Sequence, residues 1–142
     1  MRTVDMKNAT DPVLNPAVLQ QYAQRKTGLL ERLVTAYLEE APVYHQNMRA
    51  GGASRDFDLV KINAHSLKSS SANLGAVRLS KLCQELESSA SAKSVVDVIG
   101  LMEQLGPECF EAEEALKSAV FTMTGKTLFE DGGSASAATV NS

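Results

Sequence analysis

Tryptophan is absent from this chain, and aromatic side chains make up only 5% of it. A core must therefore come from Leu, Val, Ala, Ile and Met, a composition that favours helices over a β-sandwich. Cysteine is equally scarce. Cys83 and Cys109 sit in separate apolar segments, neither in a CxxC pair and neither with a His at ligand spacing. They read as two buried thiols in a reducing compartment, and no metal site is expected. Long apolar runs are missing too: nothing approaches the roughly 20 residues that a membrane span needs. The opening MRTVDMKNAT lacks the apolar core of a signal peptide. A soluble, cytoplasmic protein with no membrane partner is expected. Finally, there is no long basic run, the net charge is −3 and the pI is near 5.4. Phosphate-backbone binding generally needs a basic face, so nucleic acid is not an expected partner.

What is present is helical periodicity. With 142 residues, 44% hydrophobic and 22% charged, the chain suits one globular domain with one core. Residues 1–13 are polar and irregular, and a flexible N-terminus is expected there. Asn15-Pro16 then starts a short helix, since proline suits a first helical turn. In the next segment Leu30, Leu33, Tyr37, Ala41, Tyr44 and Met48 share one face, with a bend expected at Pro42 and a stop at Gly51-Gly52. Asp56 is the expected N-cap of a third helix, whose buried face is Phe57, Val60, Ala64, Leu67, Ser71 and Leu74. A fourth helix buries Leu79, Leu82, Cys83 and Leu86. A last segment places Val95, Ile99, Met102, Cys109, Leu116 and Val120 inward, with a kink or break expected at Gly106-Pro107. Beyond 121 the chain turns to Gly, Ser and Ala, and 122–142 is expected to be a disordered tail. The fold class predicted is all-α: an antiparallel four-helix bundle over 14–121 with a short N-terminal capping helix. The Met1 start and loose tail favour a free-standing protein.

The stretch AHSLKSSSANLGA, from Ala64 to Ala76, poses the functional question. His65 and Lys68 lie off the buried stripe, one turn apart, with Lys61 one turn before the histidine. Ser66, Ser69 and Ala72 around them are small, leaving room for a partner to approach. A solvated helix face with an incidental histidine would look similar. The neighbouring cations oppose a metal ligand. A general base would need a cleft and a second converging group, which a convex helix face does not offer. A histidine that holds an anionic group is the other reading, because an ammonium one turn away would hydrogen-bond its oxygens with charge assistance.

INAHSLKSSSANLGAVRLSKLCQELE resembles the signature of histidine-containing phosphotransfer (HPt) domains of multistep phosphorelays. That pattern is roughly Ala-His-x-Leu-Lys-Gly-Ser, then Gly-Ala, then Leu-x-x-x-Cys-x-x-Leu-Glu. It is matched at Ala64, His65, Leu67, Lys68, Ser70, Gly75, Ala76, Leu79, Cys83, Leu86 and Glu87. The likeness extends from about Leu14 to Val120, with YLEEAP upstream also similar. One position departs: the family usually has Gly where this chain has Ser69, which adds a hydroxymethyl group beside the site.

The resemblance implies that His65 is phosphorylated on the ring nitrogen farther from the backbone and that Lys68 stabilises the phosphoryl oxygens. It implies that Gly75 allows close helix approach, and that Glu87 hydrogen-bonds the other ring nitrogen; Glu87 as a plain solvated acid is the alternative. Docking is expected around His65 through Lys61, Ile62 and Ala72. The partners implied are receiver domains of hybrid sensor kinases and response regulators, which would bring the Mg²⁺; no cofactor is expected in this chain, and a monomer is expected. GPECFEAEE is not a phosphate loop and TGKTLF lacks the earlier glycine of one, so a phosphocarrier is implied rather than an autonomous kinase. The rival function is a docking module of the same fold that binds a receiver or kinase without being phosphorylated.

Overall fold

Five helices organise the chain in the computed structural model, which describes residues 11–128. They are α1 (Pro16–Arg25), α2 (Leu29–Ser54), α3 (Phe57–Asn73), α4 (Val77–Ser91) and α5 (Val95–Thr124). Helices α2 to α5 form the expected antiparallel bundle. Each packs on the next, and α5 closes against α2, so the four make a ring with four seams. The α3–α4 seam and the α2–α5 seam lie on opposite sides.

The short α1 is the expected cap. Asn15 is its N-cap, accepting from the Ala17 N–H, with Pro16 in the first turn. Two long-range bonds seat it on the α3–α4 connection: Asn15 N–H to the Gly75 carbonyl (2.8 Å) and Tyr22 Oη–H to the Asn73 carbonyl (3.0 Å). Gly75 is indispensable to that fit. Its φ is +78°, and a Cβ there would lie 2.7 Å from the Asn15 carbonyl oxygen.

The predicted stripe of α3 is buried at all six positions, and so are Leu79, Leu82, Cys83 and Leu86 of α4. Asp56 caps α3 through the Leu59 N–H. Ser71 is the one polar member of the α3 stripe, and it is satisfied by the buried Tyr37 hydroxyl at 3.3 Å. Asn63, also buried, accepts from Asn47 of α2 and donates to the Leu59 carbonyl, which fixes how α3 sits on α2.

Four expectations about α2 and α5 need correction. First, α2 does not stop at Gly51-Gly52 but runs to Ser54 and ends on Arg55 in the left-handed region, φ 61°. The Asp56 N–H then bonds back to the Gly51 carbonyl at 2.8 Å, a Schellman-type ending. Gly51 serves packing instead: a Cβ there would lie 2.9 Å from both the Asp56 carbonyl oxygen and Val60 Cγ2. Second, of the kink or break expected at Gly106-Pro107 the break does not occur: α5 is one helix there, and α2 continues through Pro42 as expected. Both prolines are exposed, and water can satisfy the carbonyl that each leaves unbonded. Third, the first half of α5 buries Val98, Leu101 and Leu105, while Val95 and Ile99 are exposed and Met102 is half-buried. Apolar residues fill most positions from 95 to 102, so periodicity could not choose the face there. Fourth, the folded part extends past 121. Helix α5 reaches Thr124, Lys126 pairs with Glu31 at 3.5 Å, and Leu128 packs on the core. The rest of the expected tail, 129–142, and residues 1–10 of the expected flexible N-terminus lie outside the described residues.

Candidate functional site

Helices α3 and α4 form a hairpin across the Leu74–Ala76 turn, so residues stepping forward on one meet residues stepping back on the other. This places His65 beside Glu87. Glu87 Oε2 lies 3.0 Å from His65 Nδ1, and its Oε1 accepts from Lys68 Nζ at 2.7 Å. Three residues further along α3 and three back on α4, Lys68 also donates to Gln84 Oε1 at 2.9 Å. One carboxylate thus holds both of the main candidate side chains named from the sequence. The solvated alternative for Glu87 does not hold: its side chain is 19% exposed and has two partners.

The electrostatics follow from those bonds. Partial burial opposes ionisation of Glu87, but hydrogen bonds from Lys68 and His65, with their charges, outweigh it and hold the carboxyl below its ordinary range. An ionised carboxylate only accepts, so His65 must donate Nδ1–H to it. In the neutral ring this places the lone pair on Nε2. The imidazole is 61% exposed. The arrangement is a solvent-facing imidazole whose ring is held through Nδ1. The Lys68 ammonium has three N–H groups, of which Glu87 and Gln84 take two. The third is uncommitted and can meet an anion brought to His65.

Among the other expected site residues, Lys61, Ile62, Ser69 and Ala72 are exposed on the outer surface of α3. Lys61 and Ala72 lie at helical spacing on the His65 side, whereas Ile62, 63% exposed, points away from the core. Gly75 is buried under α1 and touches none of the polar groups, so it shapes the hairpin rather than the site. Gln84 is the residue the sequence reading missed. Its signal was the antiparallel register, since the His65–Glu87 pairing implies a Lys68–Gln84 pairing. The two thiols take no part. Burial, with help from Glu113 and Glu108, pushes the Cys109 thiol up to about 12, and burial raises Cys83 as well. No cluster of His, Cys, Asp and Glu suited to a metal occurs among the described residues.

The Hpt domain family model matches residues 32–120, a span that includes the bundle and this site. The chain belongs to the Hpt domain family. Among solved structures it is similar to histidine-containing phosphotransfer protein B (HptB) from Pseudomonas aeruginosa PAO1. The TM-score is 0.71 at 26% identity, over 77% of this chain and 95% of that one. No curated protein sequence matches. As an Hpt domain protein, the chain functions in histidine phosphotransfer within phosphorelays, in which Hpt domains interact with receiver domains. No helix among the described residues is long and apolar enough to cross a membrane.

Proposed function

We propose that His65 is the phosphoryl carrier of this Hpt domain, acting through Nε2. The observation that supports this most is the Glu87 contact with Nδ1 of an exposed imidazole, which leaves Nε2 as the ring nitrogen not engaged by Glu87. In the forward step the Nε2 lone pair attacks the phosphorus of a receiver's aspartyl phosphate. The bond from phosphorus to the aspartate oxygen breaks, and the carboxylate leaves. The reverse step returns the group to another receiver aspartate. This transfer needs in-line positioning and charge neutralisation rather than covalent help from the protein. Glu87 orients the ring and stabilises the cationic imidazole that forms. Lys68 offers its third N–H to the phosphoryl oxygens. Ser69, one turn beyond His65, places a hydroxyl where the family usually has hydrogen, within the space a partner must enter.

The partners proposed are receiver domains of hybrid sensor kinases and of response regulators, docking over α3 around Lys61, Ile62 and Ala72. The receiver supplies the Mg²⁺, so this chain needs no cofactor and serves as a phosphocarrier rather than a kinase. It acts as a monomer. A cytoplasmic setting suits the two buried, unpaired thiols.

The test is transfer from a phosphorylated receiver domain with Mg²⁺, following acid-labile, base-stable label on the chain. Label on the wild type and none on His65→Gln is the expected result. Binding without label across a broad receiver panel would instead establish the docking module, with Ser69→Gly as the first variant to restore transfer.

A further inference from the structure

The α2–α5 seam, across the ring from His65, holds a groove of about 530 Å³. The α5 wall is mostly apolar, Ile99, Met102 and Pro107, with one carboxylate, Glu103. The other is basic: His45, Arg49 and Arg55, from α2 and its C-cap. Gly52 and Gly106 between them keep it open; a Cβ on Gly106 would meet nothing within 4 Å.

Two further observations make this more than a surface dent. Seven large apolar side chains are exposed among the described residues, and five of them, Val95, Val96, Ile99, Phe110 and Phe121, lie on α5. Ile99, Phe110 and Phe121 are spaced by 11 residues, close to three full turns, so they share one side of α5, where Glu103, Glu114 and Lys117 separate them. The apolar contact that such a side offers at the groove is therefore Ile99 with Met102 and Pro107. Second, neither Arg49 nor Arg55 has an ion-pair partner among the described residues, although acidic residues outnumber basic ones in the whole chain. Burial and the Arg49 charge favour neutral His45, so two guanidiniums face the single carboxylate of Glu103 and the groove keeps a net positive charge. Arg55 also sits at a left-handed position that glycine would occupy more easily.

We infer that this groove docks an acidic amphipathic helix of a partner protein. Its apolar side would lie on Ile99, Met102 and Pro107, as in helix-in-groove recognition, and its carboxylates would meet Arg49 and Arg55, on the wall opposite Glu103. Because the groove faces away from the α3–α4 seam, such a partner and a receiver can bind together. The inference stands independently of the role given to His65.

The probe is a fluorescein-labelled 18-residue synthetic helix with a Leu face flanked by Glu, compared with its Lys counterpart by anisotropy on the full chain. The Glu helix is expected to bind, at least tenfold more tightly than the Lys helix. Arg49→Glu with Arg55→Glu should weaken it at least tenfold, as should Ile99→Glu, while the control Val43→Glu leaves it unchanged. All four positions are exposed, and circular dichroism checks that each variant folds. Label transfer to the chain should persist with the Glu helix bound. Equal binding of both helices, or indifference to the arginine reversal, would overturn the proposal. So would a dimer that Ile99→Glu dissociates in light scattering, which would make a second copy the occupant. Binding gained only after removal of 129–142 would assign the groove to the chain's own terminus, and would also overturn it.

Discussion

The two opposite seams of the bundle each enclose a partly buried glutamate, and they treat it in opposite ways. On the α3–α4 seam, Glu87 is met by Lys68 and His65, and the ionised form is favoured. At the α2–α5 side, Glu113 lies close enough to Tyr37 of α2 and to Cys109 to act on both, and burial there disfavours its charge more than Lys117 relieves it. The difference is one of both depth and partners: Glu113 lies deeper, and only Glu87 has two donors that outweigh its burial. A seam with facing polar residues fixes a charge in place and lends it direction. On the other side, Arg49 and Arg55 line a groove with Glu103 and have no ion-pair partner among the described residues. The proposed phosphoryl chemistry belongs to the first seam and the proposed docking to the second.

The sharpest way to break this comparison is to load each seam with one methyl group. Gly75→Ala forces an L-residue to φ +78° and drives a Cβ against the Asn15 carbonyl. It should cost about 2–4 kcal/mol in denaturant melts. Gly106→Ala, in open space within α5, should instead gain up to about 1 kcal/mol from helix propensity. A destabilised Gly106→Ala would mean that the α2–α5 side is as tightly built as the other. Next comes Glu87→Ala, which releases the His65 ring and one of the Lys68 bonds. Transfer rate from a phosphorylated receiver should fall about ten- to a hundredfold, with labelling still reaching completion. Glu113→Ala should leave the rate unchanged. Equal effects of the two would erase the distinction between the seams. Lys68→Ala sharpens it: if the third N–H serves the phosphoryl group, the Lys68→Ala/Glu87→Ala pair should be non-additive by about tenfold.

The smallest effect is on pH dependence. The folded pKa of Glu87 is lowered from 4.5, so its stabilisation is present above 4.5 and is lost as pH falls through the folded value. The pKa of Glu113 is raised from 4.5, so its cost is absent well below 4.5 and grows as pH rises through the folded value. Glu87→Gln should therefore lower the Tm at neutral pH and lose its effect in strong acid. Glu113→Gln should raise the Tm at neutral pH and also lose its effect in acid. Thermal melts from pH 3 to pH 7 would compare the two curves. Parallel rather than opposed curves would show that the two carboxylates are not held differently.

Much of this was legible beforehand, and unevenly so. The α3 stripe could be read because its apolar positions are separated by polar or small ones, leaving a single possible inward face. His65, Lys68 and Glu87 were legible through a motif whose spacing follows from an antiparallel hairpin. The N-caps Asn15 and Asp56 were local and therefore visible. The inward face of early α5 was not, because VVDVIGLM presents apolar atoms in nearly every direction. Gly51-Gly52 looked like a stop and Gly106-Pro107 like a kink or break because propensity is a local penalty. In the fold, the close pass of α3 at Gly51 and the exposed position of Pro107 make both tolerable within continuous helices.

The sequence by itself determined that this protein is helical, how many long helices it has, and which histidine stands beside a lysine on an unburied face. These rest on periodicity and on spacings of three and four residues, which the helix geometry converts directly into neighbours. Only the tertiary structure decided that Glu87 holds His65 by Nδ1 and shares Lys68 with Gln84. It alone decided which flank of α5 faces the core and which forms the groove opposite. Those outcomes depend on how one helix is rotated against another, and that rotation is set by the packing of all four at once rather than by any one segment.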